Sequence, residues 1–249
     1  MSKIALVTGA SSGIGKACAL ALLTEGWTVA LCARRAQALE GVIAEAGQAG
    51  ARALALPCDV SDAAQVAAAF AQLKRRFGRL DLLFNNAGVF ARGTTPDDLA
   101  EAEWDAAIAT NLNGAFYCLK HAFRLMKEQS PQGGRIINNG SISAHTPRPG
   151  SIAYTAAKHA ITGMTKTASL DGRAFDIAVG QIDIGNVASD MTERMARGVP
   201  QADGSIKPEA RMEMAGVVQT FMAMVNLPLS ANVLFTTVMA TKMPFVGRG

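Results

Sequence analysis

The chain has little of what commits a protein to metal, disulfide or membrane chemistry. Its four cysteines, Cys18, Cys32, Cys58 and Cys118, are widely spaced inside apolar segments, without the paired spacing that holds zinc or forms a redox pair. Buried thiols in a reducing, cytoplasmic compartment fit that pattern. His121, His145 and His159 lie far apart and match no ligand spacing, so surface or packing roles are expected of them, and no metal. No uncharged apolar run reaches the ~18 to 20 residues that cross a bilayer, and the apolar run before Gly9 is too short for a signal-peptide core. Aromatic residues make up only 6%, and the net charge of +4 comes from dispersed basic residues. Neither a nucleic-acid nor a membrane partner is expected. The run Lys74-Arg75-Arg76 reads as the solvated end of a helix.

What is present is the composition of a globular protein: 49% hydrophobic and 18% charged residues in 249 positions, enough for one large α/β domain or two small ones. Short β-branched or leucine-rich runs alternate from end to end with longer alanine-rich stretches of helical period, the pattern of a parallel sheet with crossover helices. The expected strands are Ile4 to Thr8, Thr28 to Ala33, Arg52 to Leu56, Leu80 to Asn85, Arg135 to Asn139, Ile177 to Ile182 and Val233 to Met239. Between them, Gly15 to Glu25, Ala36 to Ala49, Asp62 to Phe77, Glu103 to Gln129 and Ile152 to Leu170 read as helices. Along the fourth, Leu112, Phe116, Leu119, Phe123 and Met126 recur at gaps of four and three and share a face, which packs on the sheet or on a partner subunit. No repeat, low-complexity tract or linker divides the chain. The expectation is therefore α/β: a single doubly wound, Rossmann-like domain over 1–249, with about seven parallel strands and helices on both faces. Residues 186–224 are expected to form a substrate lid, with Arg194 to Pro208 and its glycines and prolines as a mobile loop.

The segment Thr8-Gly9-Ala10-Ser11-Ser12-Gly13-Ile14-Gly15 follows the first strand and opens a helix. In that context missing side chains let backbone N–H groups and the positive helix end approach a pyrophosphate. The spacing G-x-x-x-G-x-G departs from the longer-known G-x-G-x-x-G. The second strand ends Leu31-Cys32-Ala33-Arg34-Arg35, with no acid to bind a ribose 2′-hydroxyl. A guanidinium there binds the 2′-phosphate with forked hydrogen bonds, so NADP(H) is expected over NAD(H), with Arg34 ahead of Arg35.

Tyr154 and Lys158 stand four residues apart, on one face of a helix. A phenol with a pKa near ~10 is a poor acid–base catalyst at neutral pH, and a neighbouring ammonium is expected to draw it down. Taken with the glycine turn, Asn85-Asn86-Ala87-Gly88 after the fourth strand, Asn111 in the long helix and Ser141 after the fifth strand, the order resembles the single-domain branch of the short-chain dehydrogenase/reductase family through about residue 170.

That resemblance implies an enzyme that transfers a hydride between nicotinamide and a small carbonyl or alcohol substrate. It implies that Ser141, thirteen positions before Tyr154, bonds the substrate oxygen and that Tyr154 exchanges a proton with it. Ser143, on the same strand face, is the competing serine. Lys158 would also bind the nicotinamide ribose, and Asn111 would hold a water on a proton path. Asp59 and Val60 match the adenine contact; Asn85, Ala87 and Gly88 match the segment lining the cofactor. Asn86 and Asp62 read instead as turn and cap residues. A homodimer or homotetramer is implied, paired through the long helix and the tyrosine helix.

Beyond the sixth strand the likeness thins. Ile184 replaces the family's proline, and Gly185, Val187 and Ser189 stand where the nicotinamide is cradled, Ser189 with a hydroxyl in the threonine position. The closing segment lacks the Asp-Gly-Gly of relatives resembling acyl-carrier reductases, which weakens a reading as a carrier-bound 3-ketoacyl reductase. Met191, Met195, Met212, Met214, Met222 and Met224 could shape an apolar pocket or fill the core. A non-catalytic NADPH sensor or scaffold is the third reading, opposed by the complete set Asn111, Ser141, Tyr154 and Lys158.

Overall fold

The computed structural model describes residues 2–90, 93–189 and 192–246. The first two-thirds follows the alternation written in the sequence: β1 (Ile4–Thr8), α1 (Gly13–Thr24), β2 (Thr28–Ala33), α2 (Ala36–Glu45), β3 (Ala53–Pro57), α3 (Ala63–Phe77) and β4 (Leu82–Asn85). It continues with α4 (Glu101–Ile108), α5 (Gly114–Glu128), β5 (Gly134–Asn139), α6 (Ile152–Asp171) and β6 (Ile177–Ile184). The last part adds α7 (Glu193–Arg197), a hairpin of β7 (Val199–Pro200) and β8 (Ile206–Lys207), α8 (Met214–Val225) and β9 (Phe235–Val238).

Seven strands form one sheet in the order β3-β2-β1-β4-β5-β6-β9, all neighbours parallel. The two-residue period of β1 sends Ile4 and Leu6 into a core with α3 and α5, and Ala5 and Val7 into a second core with α1, α2 and α8. Phe84 of β4 meets Phe221 of α8 at 4.5 Å between ring centroids in that second core. The strand order switches between β1 and β4, with the crossovers before and after leading to opposite sides, so a crevice opens at the carboxyl ends of those strands, where such sheets bind ligands.

Helix ends carry their expected signals. Asp62 caps α3 by accepting from the N–H groups of Ala64 and Gln65, Gly78 ends it at φ +74°, and Lys74, Arg75 and Arg76 lie in its last turn. Among the described residues, no helix is long and apolar enough to cross a membrane. The four cysteines are buried and free.

Three expectations are corrected. The helix expected over Glu103 to Gln129 is α4 and α5 joined by a π segment, Ala109–Asn113. Within α5 the buried stripe is Ala115, Cys118, Leu119, Ala122, Leu125 and Met126, and Phe116 is 48% exposed. The loop expected over Arg194 to Pro208 holds most of α7 and the β7–β8 hairpin. The helix α8 was not expected; Met212, Met214, Met222 and Met224 pack with the core around it, while Met191 lies outside the described residues.

Candidate active site

The crevice is built by locking three strand ends together. The Thr8 hydroxyl accepts from the N–H groups of Asn86 (2.8 Å) and Ala87 (2.9 Å). Asn86 donates from Nδ2 to the Thr8 carbonyl (2.9 Å) and accepts through Oδ1 from Asn139 Nδ2 (2.8 Å). Asn86 is thus the tie between β1, β4 and β5, and it also lines the crevice, which its reading as a turn residue did not anticipate. The glycines answer to this crowding. A Cβ on Gly9, at φ +67°, would lie 2.9 Å from Asn86 Nδ2, and one on Gly15 would lie 2.3 Å from the Gly9 carbonyl oxygen. Only bare backbone lets α1 start this close to β1.

The resulting cleft encloses about 550 Å³. Its walls gather Gly9, Ser11, Ser12, Gly13 and Ile14 from the turn, Arg34 and Arg35 from the end of β2, and Asp59 and Val60 beyond β3. Ala87 and Gly88 follow from β4, Tyr154 and Lys158 from α6, and Gly185, Val187 and Ser189 from beyond β6. Gly15, Asn85, Asn111 and Ser141 are not among the cleft's lining residues. Thr192 also lines the cleft and was not anticipated; its hydroxyl bonds the Val187 carbonyl and stands 3.3 Å from the Ser189 hydroxyl. Arg34 and Arg35 are exposed at the cleft mouth and take part in no ion pair among the described residues.

Ile184 supplies a backbone N–H where a proline would have none. The sixth strand runs two residues past its expected end, with Ile184 beside Val238. The Gly185 N–H then bonds the Val238 carbonyl at 2.9 Å.

Ser141 ends its strand turn with extended backbone, and its Oγ accepts from the Ser143 N–H at 3.1 Å. The Ser141 hydroxyl is close enough to the Tyr154 phenol to favour its ionised form. One helical turn on, buried Lys158 donates to the Asn139 carbonyl at 2.6 Å, and its Nζ lies 5.5 Å from the Tyr154 ring centre. Asn111, in the π segment, clamps Val89: Oδ1 accepts from its N–H (2.7 Å) and Nδ2 donates to its carbonyl (2.8 Å).

The electrostatics differ from the expectation. Burial raises the Tyr154 phenol above its ordinary range; the Ser141 hydroxyl and Arg148 oppose this, and Asp183 adds to it. Lys158 is not among the groups that lower it, because burial lets the ammonium release its proton before the phenol does. Burial draws Lys158 itself down to about 8, against an upward pull from Asp183.

A second cavity of about 610 Å³ adjoins the first, and Tyr154 and Phe90 line both. Phe90, Leu99, Ile152, Met195 and Val199 make its wall largely apolar, with Ser143 and Arg148 among its polar members. Arg148 is paired with buried Glu209, and Glu209 also accepts from Asn186 and Gln201, which joins the β7–β8 region to the cavity floor. The histidines stay apart: His121 stacks on Phe70, His159 bonds the Thr155 carbonyl, and His145 pairs with Asp183. No cluster able to hold a metal ion occurs among the described residues.

A family model described as short chain dehydrogenase matches residues 3–199. A 3beta-hydroxysteroid dehydrogenase of Mediterraneibacter gnavus is 34% identical over 212 residues, covering 85% of this chain and 76% of that one. The solved alcohol dehydrogenase from the archaeon Thermococcus sibiricus, complexed with 5-hydroxy-NADP, is similar with a TM-score of 0.83 and 25% identity, covering 97% of each chain. A 3-ketoacyl-(acyl-carrier-protein) reductase from Brucella melitensis, complexed with NADH, has the same TM-score and identity over 95% of this chain and 96% of that one.

Proposed function

Because this chain belongs to the short-chain dehydrogenase family, we propose that it is an NADP(H)-dependent oxidoreductase interconverting a small carbonyl compound and its alcohol. The observation that carries this reading is the junction of the two cavities: Tyr154 lines both, under the influence of the Ser141 hydroxyl, with Lys158 one turn along the same helix.

The glycine cradle fits a dinucleotide, since its backbone is bare where a pyrophosphate would meet the start of α1. Arg34, with Arg35, would hold the ribose 2′-phosphate, and Asp59 and Val60 the adenine. Ala87 and Gly88, backed by Asn85, would line the middle, and Lys158 would bind the nicotinamide ribose. Gly185, Val187, Ser189 and Thr192 would hold the carboxamide end. Bound there, the nicotinamide supplies hydride chemistry. The chain's own residues orient the substrate and handle the proton. Ser141 bonds the substrate oxygen; Tyr154 gives that oxygen a proton in reduction and takes one in oxidation. With its side chain held by Val89, Asn111 contributes to a proton path through its backbone carbonyl. The 186–224 segment acts as the lid, and its Met195 and Val199 give the substrate an apolar wall.

We further place the protein in a reducing, cytoplasmic setting as a homodimer or homotetramer paired through α5 and α6. Phe116, 48% exposed on α5, and Leu170 on α6 are the apolar groups that pairing would cover. The likeness to the Brucella reductase favours one second reading, reduction of a carrier-bound 3-ketoacyl chain. A panel of carbonyls and alcohols, followed at the nicotinamide absorbance band with NADPH and NADH, tests both. Turnover of free ketones supports the first reading, and turnover of acyl-carrier substrates alone supports the second.

A further inference from the structure

Behind the site runs a buried polar chain that the reaction as described does not use. Asn85, Asn138 and Gln181 lie in register across β4, β5 and β6. Asn85 Nδ2 donates to Asn138 Oδ1 (3.2 Å), Asn138 Nδ2 to Thr165 Oγ1 (2.9 Å), and Thr165 Oγ1 to Gln181 Oε1 (2.9 Å). Gln181 Nε2 then donates to Asp183 Oδ1 at 2.7 Å. The series ends on the Asp183 carboxylate, which is only 1% exposed, while the one Thr165 hydroxyl proton is shared between Gln181 Oε1 and the Ile161 carbonyl. Such a chain strengthens each of its bonds in a low dielectric and holds its end group rigidly.

The same carboxylate touches the serine turn directly. Oδ1 accepts from the Ser141 N–H at 3.0 Å, and Oδ2 meets His145 Nε2 at 2.9 Å, with that imidazole 44% exposed. The turn lies flat on the carboxylate: a Cβ on Gly140 would fall 2.0 Å from Asp183 Oδ1. This explains a glycine immediately before Ser141. Asp183 therefore has one oxygen committed to the serine backbone and the other to a group in contact with solvent.

We propose that Asp183 and His145 form a positioning pair for the reaction assigned above: Asp183 fixes the Ser141 turn from behind and carries a buried negative charge that His145 offsets when protonated. The inference rests on the reading of Tyr154 as the proton-exchanging group. The charged and titratable groups around Asp183 are few. From α6 come Tyr154 and Lys158, both of which its charge holds toward their protonated forms. From the turn come His145 and, acting on Tyr154, Arg148. β9 has no ionisable residue, and Arg135 of β5 is engaged by Asn232 and the carbonyls of Leu227, Pro228 and Ala231. An uncompensated Asp183 thus opposes loss of the Tyr154 proton, and an imidazolium at His145 relieves that opposition.

The test needs no turnover in its first arm. The chain has only two tyrosines, so the alkaline phenolate absorbance of the protein minus that of Tyr154→Phe isolates Tyr154. Asp183→Asn keeps an oxygen for the Ser141 N–H and removes the charge. Its Tyr154 titration is expected to move to lower pH by about half a unit or more, with folding checked by circular dichroism. The second arm follows alcohol oxidation by the holoenzyme: the profile of kcat/KM for Asp183→Asn is expected to shift the same way. Replacement of half-exposed His145 serves if Asp183→Asn does not fold. His145→Arg sets a permanent cation against Asp183 Oδ2 and is expected to move the Tyr154 titration to lower pH by about half a unit, whereas His145→Gln is not expected to lower it. A folded Asp183→Asn with an unmoved or upward-moved titration overturns the proposal, as does a His145→Arg titration that does not move down. Absence of any carbonyl or alcohol turnover by the unchanged protein would instead count against the functional reading, and the spectroscopic arm would still decide the pair.

Discussion

Lys158 donates its ammonium proton to the carbonyl of Asn139 at 2.6 Å, so the cation most expected to tune Tyr154 is anchored first to the end of β5. The carbonyl holds Lys158 in place on the cleft wall, while the Tyr154 phenol is under the influence of Ser141. The two residues share a helix face yet have separate partners, and their variants are expected to differ in kind.

Tyr154→Phe removes one oxygen and leaves the ring against Phe90, 4.5 Å away between centroids. NADPH affinity and melting temperature are expected to change little. Turnover is expected to fall by at least ~10²-fold, the lower end of what general acid–base catalysis contributes. Because burial holds the phenol above its ordinary range, alcohol oxidation by the free protein's own acid–base group is expected to increase with pH through the alkaline region. Near-normal activity of the Phe variant would transfer the proton role to Ser141 or to water.

Lys158→Met is expected to stabilise the fold at neutral pH while weakening NADPH. The folded chain releases the Lys158 proton through about pH 8, whereas the unfolded chain holds it into the ordinary lysine range near ~10.4. Over that interval the unfolded state binds more protons, so stability of the unchanged protein rises with pH. Below it, the folded state carries a desolvated ammonium that methionine does not. The variant's melting temperature should exceed that of the unchanged protein at pH 7, and the gap should close as pH rises toward 10. Thermal unfolding at a series of pH values checks the sign; a lower melting point at pH 7 contradicts it.

Arg34→Ala is expected to weaken NADPH about tenfold or more, the loss of a charge-assisted contact, while leaving NADH nearly unchanged. Fluorescence titration with each cofactor separates the outcomes. Equal losses would indicate a folding defect, and no loss for either would move phosphate recognition to Arg35 or another residue.

Sedimentation at micromolar concentration is expected to show a dimer or tetramer of the 26.0 kDa chain. Phe116→Glu, which places a charge on the exposed part of α5, should shift it toward monomer. A chain that is already monomeric removes the pairing proposed for α5 and α6.

Local information set most of the framework. The runs at Ile4–Thr8 and Thr28–Ala33 became strands at those bounds, because apolar residues filling every strand position are stable only between two helical layers. Tyr154 and Lys158 met on one face because a helix repeats every 3.6 residues. The glycines of the turn were legible for the same reason: their order after a strand and before a helix is local.

Where the reading failed, the deciding interactions came from elsewhere in the chain. The π segment at Ala109–Asn113 holds Asn111 where it clamps Val89, a partner 22 residues away, and packing against distant segments chose which face of α5 is buried. Helix α8 did carry a signal, Val217, Phe221 and Met224 at gaps of four and three, but its methionines read equally well as filling. Asn86 read as a turn because its partners, Thr8 and Asn139, belong to other strands. What the sequence by itself determined was the parallel α/β sheet, the glycine cradle and the Ser141, Tyr154 and Lys158 set, since each rests on short spacings. Only the tertiary structure decided the proton affinities of that set and the Asp183 carboxylate behind it. Burial and charge depend on which distant segments pack together, and β6 reaches Ser141 across 42 residues of chain.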